Sequence, residues 1–514
     1  MPILGSIIKV AIELRSKIPG NSRKLDAYKL QKRTLKRLLR KAQLTSFGEH
    51  YGFSDILMQN DIITEYQQKV PIHDYNSLFK NWWYRTLAGE PYVCWPGVVK
   101  YFALSSGTSE ASSKQIPVTN DMLKAIKKTS VRQILTLPQY DFPTEFFEKG
   151  ILMLGGSTHL NFNGTYYEGD LSGITTGNIP FWFQHFYKPG KRISRDRDWL
   201  NKLEDIVRNA HEWDIGVICG VPAWLQILLE KIIERYKLQN IHQIWPNLSI
   251  YIHGGVSMTP YYKSFEKLLG KPLVYIETYL ASEGFFAYQS GPNTSSMQLV
   301  LDNGLFFEFI PFNDKNFDGD GNIVENPTTL TVDQITEGQD YAILITTCAG
   351  TWRYLLGDII KFTSKENNEI IITGRTKHFL NLCGEHMSVD NMNRAVKMLS
   401  DEFNIEINEF CVTGTSFERM FAHKWYLGID KEFDRNLAAQ KIDEYLKILN
   451  DDYRVERLEA IKNVTAEILP TKVFYSWMGT HNKIGSQNKF PRVLKNSKLA
   501  DWEEFVKQYK TKKG

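Results

Sequence analysis

The sequence predicts an α/β protein: a large N-terminal α/β domain with a β-rich, barrel-like portion, followed by a small, mobile C-terminal α+β domain. Three observations predict it. Residues 200–285 alternate short apolar strand-like runs with amphipathic helical ones, the pattern of buried parallel strands joined by helices. Residues 297–375 change to strand-like runs separated by turn residues. After Arg375 helices and strands mix again, in a stretch long enough to hold a core of its own. We place the division between residues 1–377 and 378–514.

The elements follow in order. Residues 24–43 read as an amphipathic helix, with Leu35, Leu38, Leu39 and Ala42 on one face. Lys9 to Lys41 holds twelve Lys/Arg against two acids, which is either an anionic partner's contact or a solvated helix face. LNKLEDIVRNAHEW reads as helix, IGVICG as strand, and PAWLQILLEKIIERYK as a helix with Pro222 in its first turn. LSIYIHGG is a strand, TPYYKSFEKLLG a helix, and PLVYIETYLASEG a strand running into a loop. In the β-rich stretch, Asn303-Gly304 and Asn367-Asn368 are expected hairpin turns. The C-terminal unit reads as helix (VDNMNRAVKMLSDEF), two strands, helix (LAAQKIDEYLKILN) and a late strand, KVFYSWM.

Composition excludes several classes. The 514 residues carry a net charge of +4, too little to argue for nucleic acid. Five scattered cysteines without a C-x-x-C argue against a disulfide framework or a zinc ribbon and for a reducing cytoplasm. The short apolar N-terminal run is broken by Lys9, Glu13 and Arg15, so no signal peptide is expected. No uncharged apolar stretch reaches the ~18 residues of a membrane span. Neither H-E-x-x-H nor G-x-S-x-G occurs. A monomer is expected.

Four segments carry candidate chemistry. Ser105-Ser106-Gly107-Thr108-Ser109, with Lys114 beyond it, follows a strand and is dense in hydroxyl and amide donors. It reads as a phosphate-wrapping loop or as a polar surface loop. Thr278 to Gly284, with Tyr279, Ser282 and Glu283, ends a strand of the α/β region, where ligands collect. There Glu283 is suited to Mg²⁺ and Tyr279 to stacking on a base; an ordinary corner is the plainer alternative. Arg353-Tyr354-Leu355-Leu356-Gly357-Asp358 puts a carboxylate before an apolar strand, suited to ribose hydroxyls or to a surface turn. Gln487-Asn488-Lys489-Phe490-Pro491-Arg492 sets a lysine beside a Pro-restricted backbone, able to swing into a cleft or to remain a mobile basic loop.

Together, S-S-G-T-S…K, Y-x-x-S-E, R-Y-x-x-G-D and Q-x-K-x-P-R, in that order, resemble the auxin-responsive acyl acid amido synthetases (the Gretchen Hagen family), and specifically their bacterial branch. Gly374-Arg375-Thr376-Lys377-His378 resembles the hinge of the wider adenylate-forming enzymes. The resemblance implies an ATP-dependent ligase that turns a carboxylic acid into its acyl-AMP and passes the acyl group to an amino acid amine. Coenzyme A or a carrier thiol is the alternative acceptor, and a non-catalytic binding protein on the same scaffold the rival class. ATP and Mg²⁺ are the implied cofactors. By resemblance Ser105, Ser106, Thr108, Ser109 and Lys114 would hold phosphates. Gly254, Gly255, Tyr279 and Ser282 would border the nucleotide and Asp358 its ribose. Glu283 would hold Mg²⁺, Arg375 would mark the hinge end of the site, and Lys489 would reach the carboxylate and α-phosphate.

Two departures accompany it. Glu110-Ala111-Ser112 stands where the wider superfamily has a second glycine. Asn381 to His386 lacks the lysine of plant relatives. Finally, Asp314 to Glu325 satisfies the spacing of an EF-hand calcium loop; it reads as an excursion between strands, which the strand-like flanks favour, or as a weak calcium site.

Overall fold

The computed structural model describes residues 26–105, 114–179, 181–318, 321–376, 387–417, 420–450, 453–454, 456–457, 461–481 and 489–511. One eleven-stranded mixed sheet organises the larger part. Its strands in chain order are β1 (Gly150–Met153), β2 (Tyr187–Lys188), β3 (Ile215–Cys219), β4 (Ile250–Gly254), β5 (Val274–Ala281), β6 (Gly284–Tyr288), β7 (Met297–Leu299), β8 (Leu305–Pro311), β9 (Asp340–Thr347), β10 (Thr351–Ser364) and β11 (Glu369–Arg375). In space they run β8-β9-β10-β11-β7-β6-β5-β4-β3-β1-β2. Strands β1 to β5 pair in parallel, and β5 through β11 pair antiparallel. The β-rich portion is therefore continuous with the parallel half. That continuity places β5, the last parallel strand, beside residues that arrive from β10 and β11.

Helix α1 (Ala27–Ala42) buries the expected Leu35, Leu38, Leu39 and Ala42. Buried Gln31 donates to the Leu301 and Leu305 carbonyls and accepts from the Phe307 amide. The helix thus caps β8, the sheet's edge strand, whose backbone groups would otherwise be open to pairing. Lys29, Arg33, Lys36, Arg37, Arg40 and Lys41 all lie on its exposed side, a solvated basic face. Helix α2 (Asn120–Ile134) lies outside the segments read above; α3 (Trp199–Asn209), α4 (Pro222–Tyr236) and α5 (Tyr262–Leu268) follow the sequence pattern, Pro222 opening α4 as expected. A separate four-stranded sheet holds Tyr101–Ser105 and Lys114–Val118 as an antiparallel pair, with Ser105 opposite Lys114.

The C-terminal unit comprises α6 (Val389–Phe403), β12 (Phe410–Phe417), β13 (Met420–Gly428), α7 (Arg435–Leu449), β14 (Ile461–Leu469), α8 (Thr471–Thr480) and α9 (Asn496–Thr511). Met392, Val396, Leu399, Trp425 and Leu446 form a core on one side of its sheet. On the other, Phe474, Trp477, Phe490 and Trp502 belong to the apolar cluster that includes Trp224 and Tyr261 of the larger part.

Three expectations are corrected. KVFYSWM is helical, as α8: its buried Val473, Phe474, Trp477 and Met478 make one helix face, and aromatic content had suggested a strand. Asn303-Gly304 is not a hairpin turn, because β7 and β8 are not neighbours. Asn303 instead donates to the Ala125 carbonyl and Thr129 hydroxyl, docking the turn on α2. Asp358 does not precede a strand but lies within β10. Asn367-Asn368 does form the β10–β11 turn, with Ser364 opposite Glu369 and Asn368 at φ 54°. In the calcium-like excursion Asn316 turns inward, donating to Pro311 and accepting from the Thr328 amide, so its carbonyl oxygen is engaged by the fold. Gly319 lies outside the described residues.

Candidate active site

The site is built where the parallel strands end. Strand β4 finishes at Gly254, and Gly255 takes φ +80°. A Cβ at Gly254 would stand 2.4 Å from the Thr278 carbonyl oxygen; only glycine permits β4 and β5 this approach. His253, one residue earlier, is buried, and its Nδ1 has no hydrogen-bond partner. Burial lowers its pKa to about 4, so the imidazole is neutral.

Strand β5 turns into β6 through Ser282-Glu283, with Ala281 opposite Gly284. Both turn residues are buried. Tyr279 Oη donates to Asp358 Oδ2 at 2.6 Å, and Arg375 Nε donates to Asp358 Oδ1 at 2.6 Å. Asp358 and Arg375 are register partners in β10 and β11. Gly357, at φ +85°, gives β10 the local irregularity beside Asp358, a conformation a side chain would strain. Both oxygens of Asp358 are thus oriented by protein donors, each keeping a further lone pair able to accept another hydrogen bond.

Burial pushes the Glu283 carboxyl up to about 7. Its own backbone amide and the charges of Arg375 and Lys114 work against that, while Asp358 adds to it. Among the described residues Glu283 forms no ion pair, and no group of three His, Cys, Asp or Glu could hold a metal by itself. One buried carboxylate is an oxygen donor of the kind Mg²⁺ takes together with nucleotide phosphates, not an all-protein cage. The residues therefore fit a nucleotide-shared Mg²⁺.

The folded protein holds the Glu283 proton up to about pH 7, whereas the unfolded chain releases it near 4.5. Its stabilising contribution is complete below about 4.5 and is lost as pH rises through about 7. Glu283→Gln is therefore expected to stabilise the ligand-free protein at pH 8, by up to about 3 kcal/mol, with little change near pH 4. Urea midpoints at both pH values check this; a variant no more stable at pH 8 contradicts it.

Lys489 comes from the C-terminal unit, and its Nζ donates to the Gly255 carbonyl at 2.5 Å. Part of the residue is solvent-exposed, but its ammonium is surrounded by protein. Surrounding protein and the cations Arg375 and Arg492 lower its pKa to about 8, against the pull of Asp358. Lys114 holds its Nζ 5.3 Å from the Tyr75 ring centroid. Of the proposed phosphate loop, Ser105 and Lys114 are described; Ser106, Thr108 and Ser109 lie outside the described residues, as do Lys377 to His386 and Gln487.

The structure thus joins Tyr279, Asp358 and Arg375 by direct contact. Gly255, next to Gly254, and Lys489 meet across the two parts of the chain. Glu283 and Lys114 couple to the group through charge, and Ser105 stands opposite Lys114 on the neighbouring sheet. Arg353 is not a ligand-facing residue: it is buried in an ion pair with Glu308. Sequence reading missed Glu308, Glu409 and Tyr261, because an acid or tyrosine within an apolar run gives no local sign of its distant partner. It also missed Glu277, whose carboxyl burial raises to about 7.

Residues 22–159 and 158–274 match the GH3 family N-terminal domain, 298–372 the GH3 family central domain and 390–498 the GH3 family C-terminal domain. The chain belongs to the GH3 family. It is 31% identical over 134 residues to indole-3-acetic acid-amido synthetase GH3.4 of Arabidopsis thaliana, covering 25% of this chain and 21% of that one. It is 26% identical over 280 residues to jasmonoyl-L-amino acid synthetase JAR4 of Nicotiana attenuata, covering 51% and 46%. The matched stretches thus span from about a fifth to under half the length of these curated relatives. Both are plant proteins and lend no support to a bacterial branch.

The fold is that of the AtGH3.15 acyl acid amido synthetase solved in complex with 2,4-DB (TM-score 0.74, 17% identity, 93% of each chain). It is also like that of 2-hydroxyisobutyryl-CoA ligase in the postadenylation state (TM-score 0.59, 12% identity, 94% and 92%). Among the described residues no helix of this GH3 protein is long and apolar enough to cross a membrane.

Proposed function

We propose that this GH3 protein is an ATP-dependent acyl acid amido synthetase, adenylating a carboxylic acid and transferring the acyl group to an amino acid amine. The observation that carries the reading is the meeting of Lys489 with Gly255, beside the Tyr279–Asp358–Arg375 cluster at the strand ends. Family membership and the names of the plant relatives support the same chemistry.

The physical problem is charge. A carboxylate must attack an anionic α-phosphate, and two unit charges 4 Å apart repel by about 4 kcal/mol at an effective dielectric near 20. Lys489, brought by the C-terminal unit, supplies a positive charge to the carboxylate and α-phosphate. Ser105, Ser106, Thr108, Ser109 and Lys114 are the phosphate donors. Gly254, Gly255, Ser282 and Tyr279 border the nucleotide, and Asp358, oriented by Tyr279 and Arg375, takes the ribose. Glu283 would hold Mg²⁺ with the phosphates, where the ion supplies charge neutralisation. As the carboxylate oxygen bonds to the α-phosphorus, the bond to pyrophosphate breaks. The amine nitrogen then bonds to the acyl carbon, loses a proton, and AMP leaves. Positioning and electrostatics are the main protein contributions to such a transfer.

We assign residues 1–377 to nucleotide and acid binding and 378–514 to the unit that brings Lys489. A cytoplasmic monomer is the proposed setting. The test is acid-dependent pyrophosphate release from ATP across aryl, indolyl and aliphatic carboxylates, followed by product analysis with amino acids and with coenzyme A. Release with at least one acid class, and an amide product, is expected. No acid-dependent release would sink adenylation; a thioester alone would replace the amine by a thiol acceptor.

A further inference from the structure

Arg492 belongs to the Q-x-K-x-P-R motif but has no part in the scheme above. It is enclosed in the C-terminal unit. Its Nη1 donates to Glu409 Oε2 at 2.7 Å and to the Phe410 carbonyl at 3.1 Å. The guanidinium lies 4.4 Å from the Phe410 ring centroid. The backbone is fixed as well: the Val412 amide donates to the Arg492 carbonyl at 2.9 Å and the Leu494 amide to Val412 at 3.0 Å. Phe490 packs against Phe474, Trp477 and Trp502, with ring centroids 4.9, 5.1 and 5.0 Å away. The chain is therefore held rigidly from the residue immediately after Lys489.

Glu409 uses its other oxygen across the boundary. Its Oε1 accepts from Tyr261 Oη at 2.7 Å, and from Tyr475 Oη at 3.3 Å. Tyr261 closes the short 3₁₀ turn Thr259–Tyr261, which begins four residues beyond Gly255. A closed circuit results: Gly255, along the chain to Tyr261, across to Glu409 and Arg492, back along the chain to Lys489, whose Nζ meets the Gly255 carbonyl. A buried ion pair is a poor source of net stability but a good device for fixing one arrangement.

We propose that Tyr261, Glu409 and Arg492 form a positioning lock that seats Lys489 at the Gly255 carbonyl. None touches the reacting atoms; all three act through the lysine. The inference rests on the reading that Lys489 serves adenylation. Neighbouring contacts keep the two parts docked when Tyr261 loses its hydroxyl: Ser264 Oγ donates to Asn408 Oδ1 at 2.7 Å, and Lys263 and Lys267 pair with Asp401 and Glu406. Removing that one hydroxyl therefore tests the lock rather than the docking.

The experiment compares acid-dependent pyrophosphate release by wild type, Tyr261→Phe, Lys489→Ala and the double variant. Tyr261→Phe should lower kcat about tenfold, the scale of one lost charge-assisted hydrogen bond, with the KM for ATP within about twofold. The double variant should be no slower than Lys489→Ala, because a residue acting only through Lys489 has nothing left to position. Losses that multiply would overturn the lock and make Tyr261 merely structural. A wild-type rate in Tyr261→Phe with a slow Lys489→Ala overturns the lock alone. A wild-type rate in Lys489→Ala overturns both the lock and the lysine's role. If Tyr261→Phe does not fold, Glu409→Gln in the same cycle carries the same expectations.

Discussion

Lys489→Ala is expected to slow acid-dependent pyrophosphate release by about 10²–10³-fold, the range measured when one preorganised donor to a developing charge is removed. ATP binding should remain, because Asp358 with Tyr279 and Arg375, and Glu283, belong to the larger part of the chain and do not depend on the lysine. The reason for so large an effect is where the charge sits. Lys489 Nζ lies against the Gly255 carbonyl, at the end of β4, and feels both Arg375 and Asp358. It is thus a charge held at the strand ends, close to the other charges of the site. With a pKa near 8 in the ligand-free protein, the side chain is mostly cationic at pH 7 and loses its charge as pH rises through about 8. The wild-type rate should accordingly fall on the alkaline side. Anionic substrates favour the ammonium, so that limb belongs at or above pH 8. Lys489→Ala should show no such limb. Nucleotide binding by calorimetry beside steady-state rates across pH 6–10 separates the two effects; an undiminished rate in the variant refutes the role.

The helices of the parallel half and of the C-terminal unit were legible because each is a local pattern. PAWLQILLEKIIERYK and VDNMNRAVKMLSDEF carry their own apolar faces, and the helices Pro222–Tyr236 and Val389–Phe403 follow them closely. The motifs at 279–283, where β5 runs into a turn, and at 489–492 were legible as strings of unusual residues. Sheet order was not. Nothing local in β5 or β11 says that Tyr279 and Arg375 will share one carboxylate, because their encounter depends on the four antiparallel strands, β6 to β9, placed between β5 and β10 in the chain. The Asn303-Gly304 pair illustrates the same limit: its residues suit a hairpin, but β8 pairs with β9 while β7 pairs with β6 and β11. KVFYSWM shows propensity overridden by packing, since its aromatics were needed on one helix face rather than on alternating sides of a strand.

Arg353 shows how a motif residue can serve the site from within the core, and it yields the largest stability effect expected here. Its Nε and Nη2 donate to Glu308 Oε2 and Oε1 at 3.1 and 2.9 Å. Its Nη1 donates to the Gln67 and Val70 carbonyls at 2.7 and 2.6 Å. The side chains of Arg353 and Glu308 are only 5% and 1% exposed, so water cannot replace a lost partner. Arg353→Met should cost about 3–5 kcal/mol by leaving the Glu308 carboxylate buried without its cation. Adding Glu308→Leu should recover much of that, because removing both charges leaves neither to be solvated. Urea denaturation of the two variants and the wild type decides it. A loss under about 1 kcal/mol in Arg353→Met, or no recovery in the double variant, contradicts the argument. Function follows by geometry. His73 and Arg353 exchange backbone contacts that stitch the N-terminal helices to β10: the His73 amide donates to the Arg353 carbonyl and the Leu355 amide to the His73 carbonyl, both at 2.8 Å. Asp358 lies three residues beyond Leu355 on the same strand. Loosening Arg353 therefore frees the backbone that aims the Asp358 carboxylate, and on the proposed ribose role of Asp358 Arg353→Met should raise the KM for ATP even at temperatures where the variant remains folded.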